Sequence, residues 1–290
     1  VCLANFLGVV LTDVTSQLSW LQAMILGISQ GLTEFLPISS TAHTLIISRL
    51  LGWPDPGAAF TAFTQIGTEL AVVLYFRKDL VRIISAWFSS LTSSAARTTP
   101  DAKMGWFVII GSIPIAVAGV FFRDSIETTA RNLWLVAGAL IIMGIILGLV
   151  DHFAKLTKEQ AELTGRQAIY FGIGQALALI PGVSRSGATI TAGLAMGFKR
   201  EMVARYSFLL ALPAVFGSAA FTAGDISTDD FVNWPATIVS TAISFIVGYF
   251  VIASLMKYLQ TRTFLPFVIY RITLGSLLLV LLATGVLSAR

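Results

Sequence analysis

Apolar residues run through most of the chain in long blocks separated by short polar segments. Six blocks, at about residues 58–76, 104–122, 133–150, 202–222, 234–256 and 267–288, are each near the ~20 residues that a helix needs to cross a bilayer. The stretches 18–51 and 167–198 have a different pattern. Each holds two apolar segments of about a dozen residues, broken by a polar knot that contains proline. The first knot is Pro37-Ile38-Ser39-Ser40-Thr41, and the second is Pro181-Gly182-Val183-Ser184-Arg185-Ser186-Gly187. Irregular backbone at membrane depth survives only when it is buried in protein or lines a watery cavity. The pattern therefore predicts two re-entrant helical hairpins, the alternative being two pairs of surface helices with their loops in water.

Sliding the sequence by 145 residues lays GISQGLTEFLPISSTAHT (27–44) on GIGQALALIPGVSRSGAT (172–189) without a gap. Gly27, Ile28, Gln30, Leu32, Ser39 and Thr44 meet identical residues. Basic residues give the orientation. Arg77, Lys78, Arg82, Arg97 and Lys103 fall in 77–103, Lys155, Lys158 and Arg166 in 151–166, and Lys199 and Arg200 after the second hairpin. Segments 53–57 and 223–233 carry no basic residue, and the latter carries Asp225, Asp229 and Asp230. Placing the basic segments in the cytoplasm alternates correctly through all six spans and puts both termini outside. The first hairpin then enters from outside and the second from inside, so the two knots approach each other near the midplane.

The expected fold is an all-α integral membrane protein, with six transmembrane helices and two re-entrant helical hairpins arranged as an inverted-topology repeat. Residues 18–290 form one membrane-embedded domain with halves at about 18–150 and 167–288, and residues 1–17 form an N-terminal extension at the interface. The first eleven residues, VCLANFLGVVL, are apolar but lack the basic start and small-residue cleavage site of a signal peptide.

Composition agrees. Of the 290 residues, 56% are hydrophobic and 12% charged, about half the charge density usual in soluble domains. A net charge of +4 would suggest nucleic acid in a soluble protein. Here the basic residues sit between apolar blocks and set orientation, so no nucleic-acid partner is expected. Cys2 is the sole cysteine, which excludes a disulfide framework and a thiolate metal site.

Charge inside a membrane is costly, at least about 2.5–3.5 kcal/mol per residue at a helix centre, so Glu34, His43 and Arg185 each need a reason. Gln30 and Glu34 lie one helical turn apart on one face. After Pro37 come Ser39, Ser40 and Thr41, with His43 two residues on. A carboxylate, hydroxyls and an imidazole within ten residues are the components of an activated-hydroxyl site. The second knot offers Ser184, Arg185, Ser186 and Thr189 around two glycines, the donors that a phosphate requires. Glu69, within a span, either supports the site or pairs with a basic neighbour. Arg271 either reaches a phosphate or anchors at the interface, and His152 is expected to be solvated.

These motifs resemble those of the undecaprenyl-diphosphate phosphatase family of bacterial inner membranes, the BacA/UppP type. The (E/Q)-x-x-x-E signature matches Gln30 and Glu34, and the adjoining P-x-S-S-T-x-H matches Pro37, Ser39, Ser40, Thr41 and His43. P-G-x-S-R-S-x-x-T matches Pro181, Gly182, Ser184, Arg185, Ser186 and Thr189. F-x-P-F-x-x-Y-R matches Phe264, Pro266, Phe267, Tyr270 and Arg271, and the resemblance covers about 18–288. It implies hydrolysis of a C55 isoprenyl diphosphate to the monophosphate carrier used in cell-wall synthesis, at a multi-pass enzyme of the inner membrane whose site opens to the outer face. It further implies Ser40 as nucleophile, His43 as its base, and Arg185 and Ser184 on the diphosphate, with Ser39, Thr41, Ser186, Thr189 and Arg271 as further substrate contacts. Glu34 and Gln30 would serve a divalent cation, magnesium or calcium, and a homodimer is a possible assembly. Two positions depart from the common pattern: Gln30 stands where many members carry glutamate, and Ala42 where glycine is common.

Inverted repeats with broken helices also occur in transporters, so a lipid-carrier flippase is the alternative, alone or combined with hydrolysis. A serine and a histidine beside a phosphate-binding arginine favour chemistry, since transport needs no nucleophile. The unrelated acid-phosphatase type places a histidine six residues after a Ser-Arg pair. Here that residue is Thr191, which excludes that type.

Overall fold

The computed structural model describes residues 18–122, 132–226 and 233–289. The N-terminal extension, Cys2 included, and most of the acidic 223–233 segment lie outside the described residues. Among those described, the chain is helical throughout, with one isolated bridge between Lys158 and Phe198. The helices are α1 (Trp20–Thr33), α2 (Ser40–Leu50), α3 (Gly57–Tyr75), α4 (Arg77–Thr92), α5 (Pro100–Phe121), α6 (Leu133–Phe153), α7 (Gly165–Leu177), α8 (Arg185–Ala195), α9 (Arg200–Ile226), α10 (Trp234–Leu259) and α11 (Leu265–Ala283).

Five of these, α5, α6, α9, α10 and α11, are long and apolar enough to cross a membrane. Their outward faces carry large exposed hydrophobics, among them Ile113, Ile142, Phe250 and Leu277, as expected of helices that face lipid rather than water. These features define a multi-pass membrane protein. The sixth expected span, α3, is helical over nineteen residues, but Glu69, Gln65 and three threonines lower its hydropathy. The basic segment 77–103, read as a loop, holds α4. Its Val81, Ile84, Phe88 and Leu91 recur at helical spacing and are exposed, while Ile83 and Ser90 are buried. This is the pattern of a helix lying along the membrane surface.

The two short-helix pairs, α1–α2 and α7–α8, repeat one another in detail at the same 145-residue offset. Ser19 and Gln22 form a capping box at the start of α1, and Thr164 and Gln167 form the same box at the start of α7. Buried positions Ala23, Leu26, Gly27, Ser29 and Gln30 on α1 correspond one for one to Ala168, Phe171, Gly172, Gly174 and Gln175 on α7. Helices α2 and α8 are each eleven residues long, about 16 Å at 1.5 Å per residue, roughly half the hydrocarbon thickness.

The packing is repeated too. Helix α1 lies against α10, where a Cβ on Gly27 would come within 2.7 Å of the Ser240 carbonyl oxygen. Helix α7 lies against α5, where a Cβ on Gly172 would come within 2.2 Å of the Gly111 carbonyl oxygen. Small residues at such crossings let membrane helices approach backbone to backbone. Around these pairs, α3 packs on α10 and α9, and α6 on α11. At the basic end, Asp151 on α6 accepts from Arg200 Nε at 2.6 Å and from the Phe264 N–H at 2.9 Å. One carboxylate thereby ties the ends of α6, α9 and α11 together and fixes where α11 begins, and with it the depth of Tyr270 and Arg271.

Candidate active site

The first helix of each pair ends four residues before a proline, and a serine at positive φ begins the second. Ser39 and Ser184 both have φ of 73° and are the two non-glycine residues with positive φ among those described. Such a conformation costs roughly 1–3 kcal/mol and persists only where its surroundings hold it. Both side chains accept from the N–H three residues on, Ser39 from Ala42 and Ser184 from Gly187, so each turn is also an N-cap. The next residue is then presented at the head of a short helix: Ser40 in the first hairpin and Arg185 in the second.

The two heads meet on Glu34. Its Oε2 accepts from Ser40 Oγ at 2.6 Å and from the Gln30 amide at 2.7 Å, and its Oε1 accepts from Arg185 at 2.5 Å. The same Arg185 Nη2 donates to Glu69 Oε1 on α3, also at 2.5 Å, and Nη1 donates to the Ala211 carbonyl at 3.3 Å. Glu34 is nearly and Glu69 wholly buried. Removing one partner of such a buried ion pair costs about 3–5 kcal/mol because the other charge is left unpaired.

His43 lies one turn along α2 from Ser40 but does not touch its hydroxyl. The Ser39 carbonyl can only accept, so Nδ1–H donates to it at 2.7 Å, and Nε2 accepts from the Tyr270 hydroxyl at 2.6 Å. Arg271 is fully buried and spends its donors on carbonyls: Leu140 and Ala139 on α6, Pro37 in the first knot, and Gly182 and Val183 in the second. A Cβ on Gly187 would lie 2.7 Å from its Nη1, so glycine is what admits the guanidinium. Arg271 is thus a brace between the knots.

The remaining candidate residues divide. Ser184 Oγ lies 3.2 Å from Ser186 Oγ, and Ser186 bonds the Glu34 and Leu36 carbonyls across the knots. Thr189 is bound to the Arg185 carbonyl and to Ser207 on α9. Thr41 is exposed, and His152 lies at the end of α6 beside Phe153. Sequence reasoning assigned no part to Ser207 and left the role of Glu69 open. No spacing connects either residue to the second hairpin, but an acid inside an apolar span was the available signal for Glu69. In the sequence Tyr270 stands out only as part of a motif.

A hydroxyl held against a buried carboxylate, with an arginine entering from the second helix pair, gathers a cluster of polar side chains within a multi-pass membrane protein. The chain belongs to the family described as Bacitracin resistance protein BacA, which matches residues 23–277. It is 54% identical to the undecaprenyl-diphosphatase of Thermobifida fusca, over 93% of both chains. It is 52% identical to undecaprenyl-diphosphatase 2 of Streptomyces coelicolor, over 93% of this chain and 97% of that one. The undecaprenyl-diphosphatase of Micrococcus luteus is 52% identical, over 94% of this chain and 100% of its own. Nothing in these names supports lipid transport as the alternative.

Proposed function

We propose that this protein hydrolyses undecaprenyl diphosphate to undecaprenyl phosphate and inorganic phosphate, returning the lipid carrier to cell-wall synthesis. One observation carries the reading: Glu34 receives both the Ser40 hydroxyl of the first knot and the Arg185 guanidinium of the second. Ser40 Oγ attacks the terminal phosphorus while its proton passes to Glu34 Oε2, which already accepts it. The bond from that phosphorus to the bridging oxygen breaks, and undecaprenyl phosphate leaves. Water then attacks the phosphorus of the phosphoserine and gives a proton to His43 Nε2, from which the Tyr270 hydroxyl must turn away. The P–Oγ bond breaks, inorganic phosphate leaves, Ser40 recovers its proton from Glu34, and His43 returns its proton to solvent. Arg185 neutralises the charge that develops on the departing oxygen, in a dry site where a preorganised donor is worth most.

The donor set also fits a hard divalent cation, magnesium or calcium. Glu69 Oε2 is buried without a hydrogen-bond partner, and Oε1 of the same carboxylate shares the Arg185 Nη2 with Glu34 Oε1. Bound there, the ion would supply Lewis-acid charge to the diphosphate oxygens. The Gln30 amide donates to Glu34 and orients it.

The paired caps, the matching buried faces and the exchanged packing partners support an architecture of six spans and two re-entrant hairpins related by inverted topology. The distribution of lysine and arginine supports basic segments in the cytoplasm and a site that opens to the outer face of a bacterial inner membrane. The test is phosphate release from C55 isoprenyl diphosphate by the purified protein, with and without chelator. Release that falls in excess EDTA and returns with magnesium is expected. No release under any condition refutes the reading.

A further inference from the structure

Glu69 is the buried charged group whose presence in α3 the mechanism leaves unexplained. Glu34 and Glu69 are both bonded by one nitrogen of Arg185, so two carboxylates face one guanidinium. Arg271 has its donors committed to carbonyls and bonds neither carboxylate. The directly bonded set thus holds two acids for one guanidinium, and the substrate diphosphate would bring at least two more negative charges. A cluster of that sign repels its own substrate unless further positive charge enters with it.

The place for that charge is indicated by a separate observation. Glu69 is wholly buried, and while its Oε1 accepts from Arg185, its Oε2 has no hydrogen-bond partner. A buried carboxylate oxygen left unpaired is costly unless an ion or donor satisfies it. Gln30 cannot supply the missing acid, because its amide is neutral and donates to Glu34. Glu69 reaches the same cluster from a different helix, 39 positions further along the chain.

We propose that Glu69 is the second carboxylate of the cation site in this protein, taking on α3 the part that a glutamate at position 30 would take on α1. Glu34 and Glu69 together hold the divalent ion, while Glu34 Oε2 keeps its bond from Ser40. Oxygen ligands of this kind suit magnesium, calcium or manganese. The inference rests on the phosphatase reading and adds to it the residue that sets cation affinity.

The test uses full-length purified protein and manganese alone, with bound Mn2+ read by electron paramagnetic resonance in the absence of substrate. Glu69→Gln is expected to weaken Mn2+ binding by at least about 10- to 100-fold, since loss of a residue that only supports a ligand already costs that much. The exchange Gln30→Glu/Glu69→Gln is expected to restore most of that affinity, since it returns a second acid to the cluster. Should Glu69→Gln not fold, Glu69→Asp, which keeps the charge on a shorter arm, is expected to show an intermediate affinity. Unchanged Mn2+ affinity in a well-folded Glu69→Gln overturns the proposal, as does an exchange variant with no recovery. So does a wild-type protein that releases phosphate from the C55 diphosphate yet binds no Mn2+. A wild-type protein that binds Mn2+ but releases no phosphate refutes the phosphatase reading instead.

Discussion

The two hairpins share a backbone and present different side chains. Both begin with a capping box, turn through a serine at φ 73° and continue into a helix of eleven residues. One residue past that serine they part: the first presents Ser40 and, a turn later, His43, while the second presents Arg185 and, a turn later, Ala188. Gln30 and Gln175 show the same divergence one helix earlier. Gln30 donates to Glu34, whereas Gln175 occupies the matching buried position with no hydrogen-bond partner for either amide atom and Leu179 where the acid would be. The repeated pattern supplies two equivalent helix heads, and the proposed hydrolytic site needs them to differ, one carrying the proposed nucleophile and the other the cation. Glu34 joins the halves.

The largest expected effect tests that division. Ser40→Ala should lower turnover of the C55 diphosphate by about 10³-fold or more, since it removes the attacking oxygen. His43→Ala should cost ~10²–10⁴-fold, the usual worth of a positioned base. If the two act in successive half-reactions, Ser40→Ala should accumulate no phosphoenzyme, and His43→Ala should accumulate it on Ser40, visible by mass spectrometry after acid quench. Phosphoenzyme absent from both, with turnover nearly intact in a folded Ser40→Ala, would mean that water attacks directly.

Arg271 provides the next comparison, because it belongs to neither knot and binds both. Arg271→Met keeps much of the volume but abandons the Pro37, Gly182 and Val183 carbonyls in a buried place. At roughly 1–3 kcal/mol for a group left unsatisfied, the purified protein should show a thermal midpoint lower by many degrees. Arg185→Met removes a cation as well, but it frees two carboxylates to repel each other. The structure therefore orders the variants: Arg271→Met should damage stability more than Mn2+ affinity, and Arg185→Met should abolish turnover. The opposite order would make Arg271 a substrate ligand.

Much of this was legible in the residues. The six long apolar blocks and the two interrupted ones coincide with the helices, because hydrophobic length and proline are local signals. Helix α4 was hidden for a local reason as well: Arg77, Lys78, Asp79 and Arg82 dominate its first turns, so a search for long apolar runs passes over its stripe of Val81, Ile84, Phe88 and Leu91. The contacts that decide roles were not legible. Ser40 meets Glu34 rather than His43, His43 meets Tyr270, and Arg271 meets carbonyls, because each contact depends on the angle at which a side chain leaves its turn. Glu69 lies 116 residues from its partner Arg185, and no spacing rule reaches that far.

The smallest effects test the shared backbone itself. Ser39 and Ser184 each perform two tasks, holding a positive φ and capping the helix that follows. Alanine fails at both: it loses the cap, worth about 0.5–2 kcal/mol, and still has to adopt the strained φ. Glycine loses the cap but adopts a positive φ freely, and as an N-cap it costs only about a few tenths of a kcal/mol. In both hairpins the order of thermal stability should therefore be serine near glycine, with alanine clearly below. The two positions should also agree in size, because their φ values and capped N–H positions are the same. Agreement at both sites, measured as midpoint shifts of purified variants, would mean that the turns are one device used twice. A Ser184→Gly variant much less stable than Ser39→Gly would show that the contact between Ser184 and Ser186 carries weight of its own, and the repeat would then end at the backbone of the first hairpin.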